Sequence, residues 1–296
     1  MDSDEGYLRV TGGRVWYKTV GSGGVPLLTL HGGPGFCHDY LCALEDLASE
    51  RPVIFFDQLG CGKSDRPSDT SLWTVDFFVN QIDEVRQALS LDDTHLLGQS
   101  WGGMLAMQYV LDRRPKLRSL VVANSPASMP RFIEDNMRLK EELPPEVRET
   151  IDWHEERGYT DCPEYQGAIA FWFRRHICRM RPWPEGLEQS FAGLGQEVYA
   201  AMIGPSEFRV TGNLREWDVT DRLSDIRLPT LFVAGQHDEI RPSHVFDMHT
   251  RVTGSDYVLY EDSAHFPFEE ERGRFMADLA SFLARAERRT EKESIQ

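Results

Sequence analysis

Short, continuous runs of apolar residues recur along the chain, and they constrain its fold more than any other feature. Five of them are VPLLTLHG (25–32), PVIFFDQ (52–58), THLLGQ (94–99), LRSLVVANS (117–125) and PTLFVAGQHD (229–238). Such runs are typical of strands buried on both faces, and strands that alternate with helices form parallel sheets. The sequence therefore predicts an α/β fold with a mostly parallel sheet that helices cover on both faces.

Flanking segments extend this prediction. The alternating segment RVWYKTV (14–20) predicts a half-exposed strand, and DYVLYEDS (256–263) predicts a further strand near the end of the chain. Helical spacing of apolar residues predicts amphipathic helices near 40–50, 74–90, 100–114, 243–252 and 268–288.

The alternation of strands and helices stops between about Ala127 and Asp225. This stretch is charged, aromatic and helix-rich, and it contains four of the seven tryptophans, Trp153, Trp172, Trp183 and Trp217. Predicted sheet strands lie on either side of it. We therefore expect residues 1–126 and 226–296 to form one core, and residues 127–225 to form a helical cap inserted between two sheet strands.

Composition excludes several classes of protein. The 48 acidic residues against 32 basic residues give a net charge of −16, and no basic run offers a face to nucleic acid or anionic membrane. No segment approaches the roughly 20 apolar residues of a membrane helix, and MDSDEGYLRV lacks the apolar run of a signal peptide. The five cysteines show no CxxC spacing. We expect a cytoplasmic protein without metal or cofactor, and composition leaves its oligomeric state open.

The segment LLGQSWGGML contains the motif most directly tied to chemistry. Gly98, Ser100 and Gly102 follow the pattern G-x-S-x-G, between a predicted strand and a predicted helix. A strained strand-to-helix turn of this kind holds a serine above the carboxyl edge of the sheet. Serine is also a good helix N-cap, but the strand before the motif and the helix after it favour a nucleophile.

A serine hydroxyl is a weak nucleophile without a base and an orienting acid. His265, in EDSAHFPFEE, follows the last predicted strand and is the candidate base. Asp238, in AGQHDEI, follows the preceding strand and is the candidate acid, while Asn124 occupies the position one strand earlier where some hydrolases carry the acid. His237 is a rival base, although it adjoins the acid in sequence. The chain order Ser, Asp, His is typical of this architecture.

A tetrahedral oxyanion needs two backbone N–H donors. The residue after the nucleophile, Trp101, supplies one of them in this architecture. The other is expected from the loop after an early strand, where the sequence reads HGGPG (31–35) and the backbone can approach a ligand closely.

Several motifs together resemble the prolyl iminopeptidase family of α/β hydrolases, over nearly the whole chain from Val25 to the final helix. They are HGGPG (31–35), DQLGCGKSD (57–65), GQSWGG (98–103), GQHDE (235–239) and SAHFP (263–267). The resemblance implies release of an N-terminal residue, often proline, from short peptides, or hydrolysis of amino-acid amides. It also implies a catalytic triad and two oxyanion donors. These residues are Ser100, Asp238 and His265 for the triad, and Gly33 and Trp101 for the oxyanion.

The resemblance further implies carboxylates that receive the free amino group of the substrate. Glu239 matches one such position, and Glu207, in the cap, resembles its partner, with Glu216 as the substitute. One residue departs from the pattern of strict prolyl enzymes, because Leu59 stands where many of them carry arginine. The form DQLGCG is closer to broad-specificity aminopeptidases and amidases, so the preferred N-terminal residue stays open.

Three other functions are compatible with the same motifs. An amino-acid amide hydrolase would use the same triad and the same amino-group site, but without room for a residue beyond the scissile bond. A carboxylesterase would have no use for the two glutamates. A ligand-binding protein on a hydrolase scaffold could keep the triad without turnover. The substrate that we expect is a short peptide, and an amino-acid amide is the second candidate.

Overall fold

The computed structural model describes the backbone of residues 2–295 and the side chains of residues 2–289. Within this range the strands are β1 Ser3–Val10, β2 Gly13–Val20, β3 Leu27–Leu30, β4 Val53–Phe56, β5 His95–Gln99, β6 Ser119–Ala123, β7 Thr230–Gly235 and β8 Asp256–Tyr260. The α-helices are α1 Val75–Ala88, α2 Trp101–Arg113, α3 Met129–Glu141, α4 Pro145–Arg157, α5 Pro163–His176, α6 Glu185–Ala192, α7 Gln196–Met202, α8 Pro242–Arg251, α9 Pro267–Glu270 and α10 Arg272–Ile295. Shorter 3-10 segments cover His38–Ser49, Thr70–Leu72 and Thr220–Asp225.

All the strands belong to one eight-stranded sheet in the order β1-β2-β4-β3-β5-β6-β7-β8. β2 pairs antiparallel with β1 and β4, and the pairs from β4 to β8 are parallel. The carboxyl ends of β5, β6, β7 and β8 therefore meet at one edge of the sheet, where ligands bind in open parallel sheets. The predicted mostly parallel sheet is confirmed.

The sheet is apolar on both faces because each buried strand divides its side chains between two layers. In β4, Ile54 and Phe56 join one layer, while Val53 and Phe55 join the other. The first layer also holds buried residues of α1, α2 and α8, and the second holds residues of α10 and of the helices after β6. A strand buried on both faces has no polar side to expose, which explains the continuous apolar runs.

Two elements differ from the sequence prediction. β1 forms a hairpin with β2 at the edge of the sheet. Its sequence, SDEGYLRV, has no continuous apolar run, and most of its residues are exposed in the structure. The helix predicted near 40–50 is instead a 3-10 segment, His38–Ser49, that buries one face against the second layer. Among the helices of residues 2–295, none is long and apolar enough to cross a membrane.

Helices α3 to α7 fill the long connection between β6 and β7. The two ends of this connection lie side by side, because Val219 N–H donates to the carbonyl of Ala127 at 2.9 Å and Met129 N–H donates to that of Trp217 at 2.9 Å. The connection thus leaves and rejoins the sheet at one place, and its helices lie over the edge where the strands end.

Candidate active site

Ser100 occupies a strained turn between β5 and α2. Its backbone angles, φ 56° and ψ −126°, lie outside the regions that residues other than glycine usually adopt. The flanking glycines permit this turn, since a Cβ on Gly98 would lie 2.1 Å from the carbonyl oxygen of Gly102, and one on Gly102 would lie 2.0 Å from that of Leu30. Strain at a single polar residue is typical of a functional turn. The geometry is that of the turn predicted from G-x-S-x-G.

Asp238 and His265 come together from the loops after β7 and β8. The Nδ1 of His265 lies 2.8 Å from Oδ1 of Asp238, and both side chains are buried. Asn124, at the end of β6, donates from Nδ2 to Oδ2 of Asp238 at 2.7 Å, so it holds the acid in place. Burial lowers the pKa of His265, but the charge of Asp238 and its hydrogen bond outweigh burial and raise the pKa above its ordinary value.

A chamber of about 360 Å³ brings most of the predicted site residues together. Ser100, His265, Gly33, Glu207 and Glu239 all line it. Asp238 lies behind the His265 imidazole. The rival base His237 is not among the described residues that line the chamber, and its backbone carbonyl accepts a hydrogen bond from His176 Nδ1 at 2.9 Å.

The loop HGGPG lies beside Ser100, as a source of oxyanion donors requires. The N–H of Gly32 is already used, because it donates to the Tyr40 hydroxyl at 2.6 Å. This leaves Gly33 as the residue of the loop that borders the chamber with an N–H to offer. Trp101 is the first residue of α2, so its N–H has no acceptor within the helix. Both positions suit the predicted donor role.

Glu207 and Glu239 face the same space near Ser100. Glu239 is 3% exposed, and its Oε2 has no hydrogen-bond partner among the described residues. Burial raises the pKa of both carboxyls, and the nearby charge of Glu207 raises the pKa of Glu239 further. Two carboxylates held close together away from water repel each other unless a cation lies between them. The pair is therefore suited to bind a positively charged group. Glu216, the substitute, lies on the surface with its side chain 83% exposed, beside Arg215.

Sequence reasoning missed a buried acid next to this pair. Glu155, on α4, accepts hydrogen bonds from the hydroxyl of Tyr165 and, at 2.6 Å, from that of Ser206. Ser206 precedes Glu207, so this network fixes the loop that carries the predicted amino-group residue. In the sequence, Glu155 stands among charged residues of a helix and resembles a solvated position. A tyrosine ten residues later gives no signal of the contact.

A second network that the sequence did not indicate lies beneath Ser100. The Tyr40 hydroxyl donates to Oε1 of Gln99 at 2.6 Å, and Nε2 of Gln99 donates to the carbonyl of His265 at 3.1 Å. Because Tyr40 also accepts from Gly32, it connects the glycine loop to the histidine loop.

The last residue of α5 and the residue after it join the helical connection to the loops that carry Glu239 and His265. The N–H of His265 donates to the carbonyl of Ile177 at 3.0 Å, and the N–H of Glu239 donates to that of His176 at 3.3 Å. The helices over the site therefore share their hydrogen bonds with the residues predicted to act. Among the described residues, no cluster of three His, Cys, Asp or Glu side chains could hold a metal ion.

Known proteins share this fold and much of this sequence. Residues 25–161 match the alpha/beta hydrolase fold family. The chain is 42% identical to the proline iminopeptidase of Heyndrickxia coagulans, over 94% of this chain and 98% of that protein. The crystal structure of the Mycobacterium smegmatis proline iminopeptidase, 36% identical, superposes with a TM-score of 0.89 over 96% of this chain and 98% of that one. That of VinJ, 40% identical, superposes with a TM-score of 0.92 over 96% of this chain and 99% of VinJ.

Identity of this extent over nearly full length decides the family. The chain belongs to the proline iminopeptidase family of alpha/beta hydrolases.

Proposed function

We propose that this chain is a serine aminopeptidase that releases an N-terminal residue, proline or another small apolar residue, from short peptides. The observation that carries the proposal is the meeting of Glu207 and Glu239 with Ser100 and His265 in one chamber. A hydrolase that acts on any ester or amide has no need of two carboxyls, one buried and one half-buried, beside its nucleophile. An aminopeptidase needs them, because it must hold the substrate's free ammonium away from water. The curated relatives that are proline iminopeptidases support the same activity.

In the acylation step, the Ser100 Oγ attacks the carbonyl carbon of the N-terminal residue, and its proton passes to His265. The tetrahedral oxyanion accepts hydrogen bonds from the backbone N–H groups of Gly33 and Trp101. His265 then gives its proton to the departing nitrogen, and the C–N bond breaks to leave an ester on Ser100. Asp238 orients the imidazole and stabilises its positive charge through the 2.8 Å contact.

In the deacylation step, a water molecule gives a proton to His265 and attacks the ester carbonyl. Collapse of the second tetrahedral intermediate returns the proton to Ser100 and frees the amino acid. The same donors act in both steps, so each serves twice per turnover.

We assign residues 127–225 to a cap, and residues 1–126 and 226–296 to the hydrolase core. The cap supplies Glu207 and much of the chamber wall. A covered site excludes water and limits the length of chain that can enter, which favours short peptides over folded proteins. The five free thiols support a reducing compartment, and we propose a cytoplasmic enzyme.

An amino-acid amidase is the second candidate, because it would use the same residues. Its leaving group is ammonia and needs no chamber, whereas about 360 Å³ adjoins Ser100 here. The volume favours a peptidase. A plain esterase or a non-catalytic binding protein would leave the two glutamates without a purpose.

A panel of substrates tests the proposal. The purified protein should hydrolyse Pro-, Ala- or Leu-arylamides and dipeptide amides in preference to prolinamide, which an amidase would favour, and in preference to a simple ester. Ser100→Ala should lower turnover by ~10⁴ or more with the fold intact, and His265→Ala should be about as severe. The double variant should be little worse than either, since the residues act as a unit. Hydrolysis of the ester alone would contradict the proposal, as would substantial activity of Ser100→Ala.

A further inference from the structure

Two adjoining spaces lie beside Ser100. One is the chamber of about 360 Å³, and the other is a recess of about 20 Å³. Ser100, Gly33, Glu207 and Glu239 border both spaces. A substrate whose ammonium lies at the glutamates and whose carbonyl lies at Ser100 can place its side chain in one space and its leaving group in the other.

The position of His265 decides which space takes the leaving group. His265 borders the chamber but is not among the described residues that border the recess, whereas Trp101 borders the recess. The imidazole must protonate the departing nitrogen, so this nitrogen has to lie on the chamber side. The side chain of the N-terminal residue then enters the recess, among apolar groups such as Met104, Phe132 and Ile240.

The wall of the chamber beyond His265 is apolar and aromatic. The ring of Phe36 lies 4.8 Å from that of Phe191, and the ring of Phe173 lies 5.7 Å from it, between centroids. Trp183 stacks on Phe191 from behind at 5.6 Å. Ile169 and Leu194 border the same space. Such a surface stabilises an apolar group that leaves water.

The charged side chains that line the chamber are acidic. Among the described residues that line it, none is a lysine or an arginine, and the two glutamates are acidic. The leaving group of a free dipeptide carries its carboxylate two atoms from the scissile nitrogen. This carboxylate would have to enter an apolar space near two acids with no cation to receive it.

We infer that the enzyme selects its leaving group, and that it acts on substrates whose departing amine is bulky, apolar and without a nearby carboxylate. Arylamines and C-terminally blocked or longer peptides with an apolar second residue meet this description. Dipeptides with a free carboxylate do not. This inference rests on the proposed function and extends it to the other side of the scissile bond.

Three prolyl substrates separate the two features of the leaving group. The kcat/KM for Pro-Phe-NH₂ should exceed that for Pro-Gly-NH₂ by roughly tenfold or more, because the phenyl ring leaves water for the aromatic wall. It should also exceed that for Pro-Phe by roughly tenfold or more, because only the free dipeptide brings a carboxylate into the chamber. Equal kcat/KM values for Pro-Phe and Pro-Phe-NH₂ would overturn the inference.

A matched pair of variants tests the charge argument directly. Gln166 is exposed at the rim of the chamber, while Gln189 is exposed on α6 away from it. Gln166→Lys should raise kcat/KM for Pro-Phe relative to Pro-Phe-NH₂ by several-fold, and Gln189→Lys, with the same change of net charge, should leave the ratio unchanged. Equal ratios in the two variants would overturn the inference. A failure of the proposed function would give a different result, because the wild type would then cleave none of the three prolyl substrates.

Discussion

The indole of Trp101 donates a hydrogen bond from Nε1 to the side-chain oxygen of Gln58 at 2.9 Å. The amide nitrogen of the same glutamine donates to the carbonyl of His31 at 3.0 Å, and its backbone N–H donates to Nε2 of His31 at 2.9 Å. One buried side chain thus joins the helix that begins at Trp101 to the loop that contains Gly33. These are the two sources of the proposed oxyanion donors.

Gln58→Ala should lower kcat by roughly 10- to 100-fold with little change in KM, because it loosens both proposed donors without touching the substrate. Removing an oxyanion donor outright costs about 10²–10³ in kcat, so a positioning residue should cost less. Steady-state kinetics on a prolyl arylamide measure the split. Gln108→Ala is a matched control, because Gln108 accepts from the indole of Trp217, away from the chamber. A rise in KM at unchanged kcat would refute this role for Gln58.

The pH profile should have an acid limb above the ordinary histidine pKa. The pKa of His265 is raised, and the imidazole must be neutral to accept the serine proton, so kcat/KM should fall as pH drops through that raised value. An α-amino group has a pKa of about 7.7–8.0 and binds the carboxyls only when protonated, which adds an alkaline limb.

A simple ester without an amino group provides the control for this profile. Its hydrolysis should keep the acid limb, which belongs to His265, and lose the alkaline limb, which belongs to the substrate. An alkaline limb of equal size with the ester would show that the enzyme, not the ammonium, titrates there.

Cys61 should be dispensable for the reaction, although it lies close to the site. Its thiol is buried, donates to the carbonyl of Gln58 at 3.0 Å and lies 3.6 Å from Nε2 of His31. Burial raises the pKa of this thiol well above its ordinary value, so it is not a thiolate at neutral pH. Cys61→Ser should retain activity within a few-fold, and a chelator should have no effect. A folded but inactive Cys61→Ser enzyme would speak against serine catalysis.

The sequence predicted the parts of the fold whose residues show a local pattern. The buried strands are visible because residues such as Phe55 and Phe56 face opposite apolar layers, which leaves no polar interruption. Ser100 was visible because its turn demands glycines at fixed positions. β1 was not visible, since an exposed edge strand tolerates charge and shows little periodicity.

The sequence could predict those residues of the candidate site that lie in or beside recognisable motifs. Glu239 follows the predicted acid in the motif GQHDE, and the family resemblance predicts it as an amino-group residue. Glu155 and Tyr40 act through partners distant in the chain, and only folding brings them together. The fold favours Glu207 over Glu216 as the proposed amino-group residue, because both stand in the same charged stretch and of the two only Glu207 lines the chamber.

Glu239→Gln should lower kcat/KM on free-amine substrates by roughly 10- to 150-fold, since a hydrogen bond to a charged group contributes about 1.5–3 kcal/mol. The change keeps the shape and removes the charge, so hydrolysis of a simple ester should change little. Glu216→Gln removes the same charge on the exposed surface and should match the wild type on both substrates. Equal losses on the ester and the free amine would assign Glu239 a structural role instead.

The ratio of kcat/KM for a prolyl arylamide to that for its N-acetylated form tests the central claim most directly. Acetylation removes the positive charge that Glu207 and Glu239 are proposed to receive, while the scissile bond and its leaving group stay the same. The wild-type enzyme should cleave the free amine and reject the acetylated form, with a ratio of at least roughly 100 for the loss of contacts to two carboxyls. Equal cleavage of the two compounds would show that no amino-group site exists, and the protein would then be a general esterase or amidase.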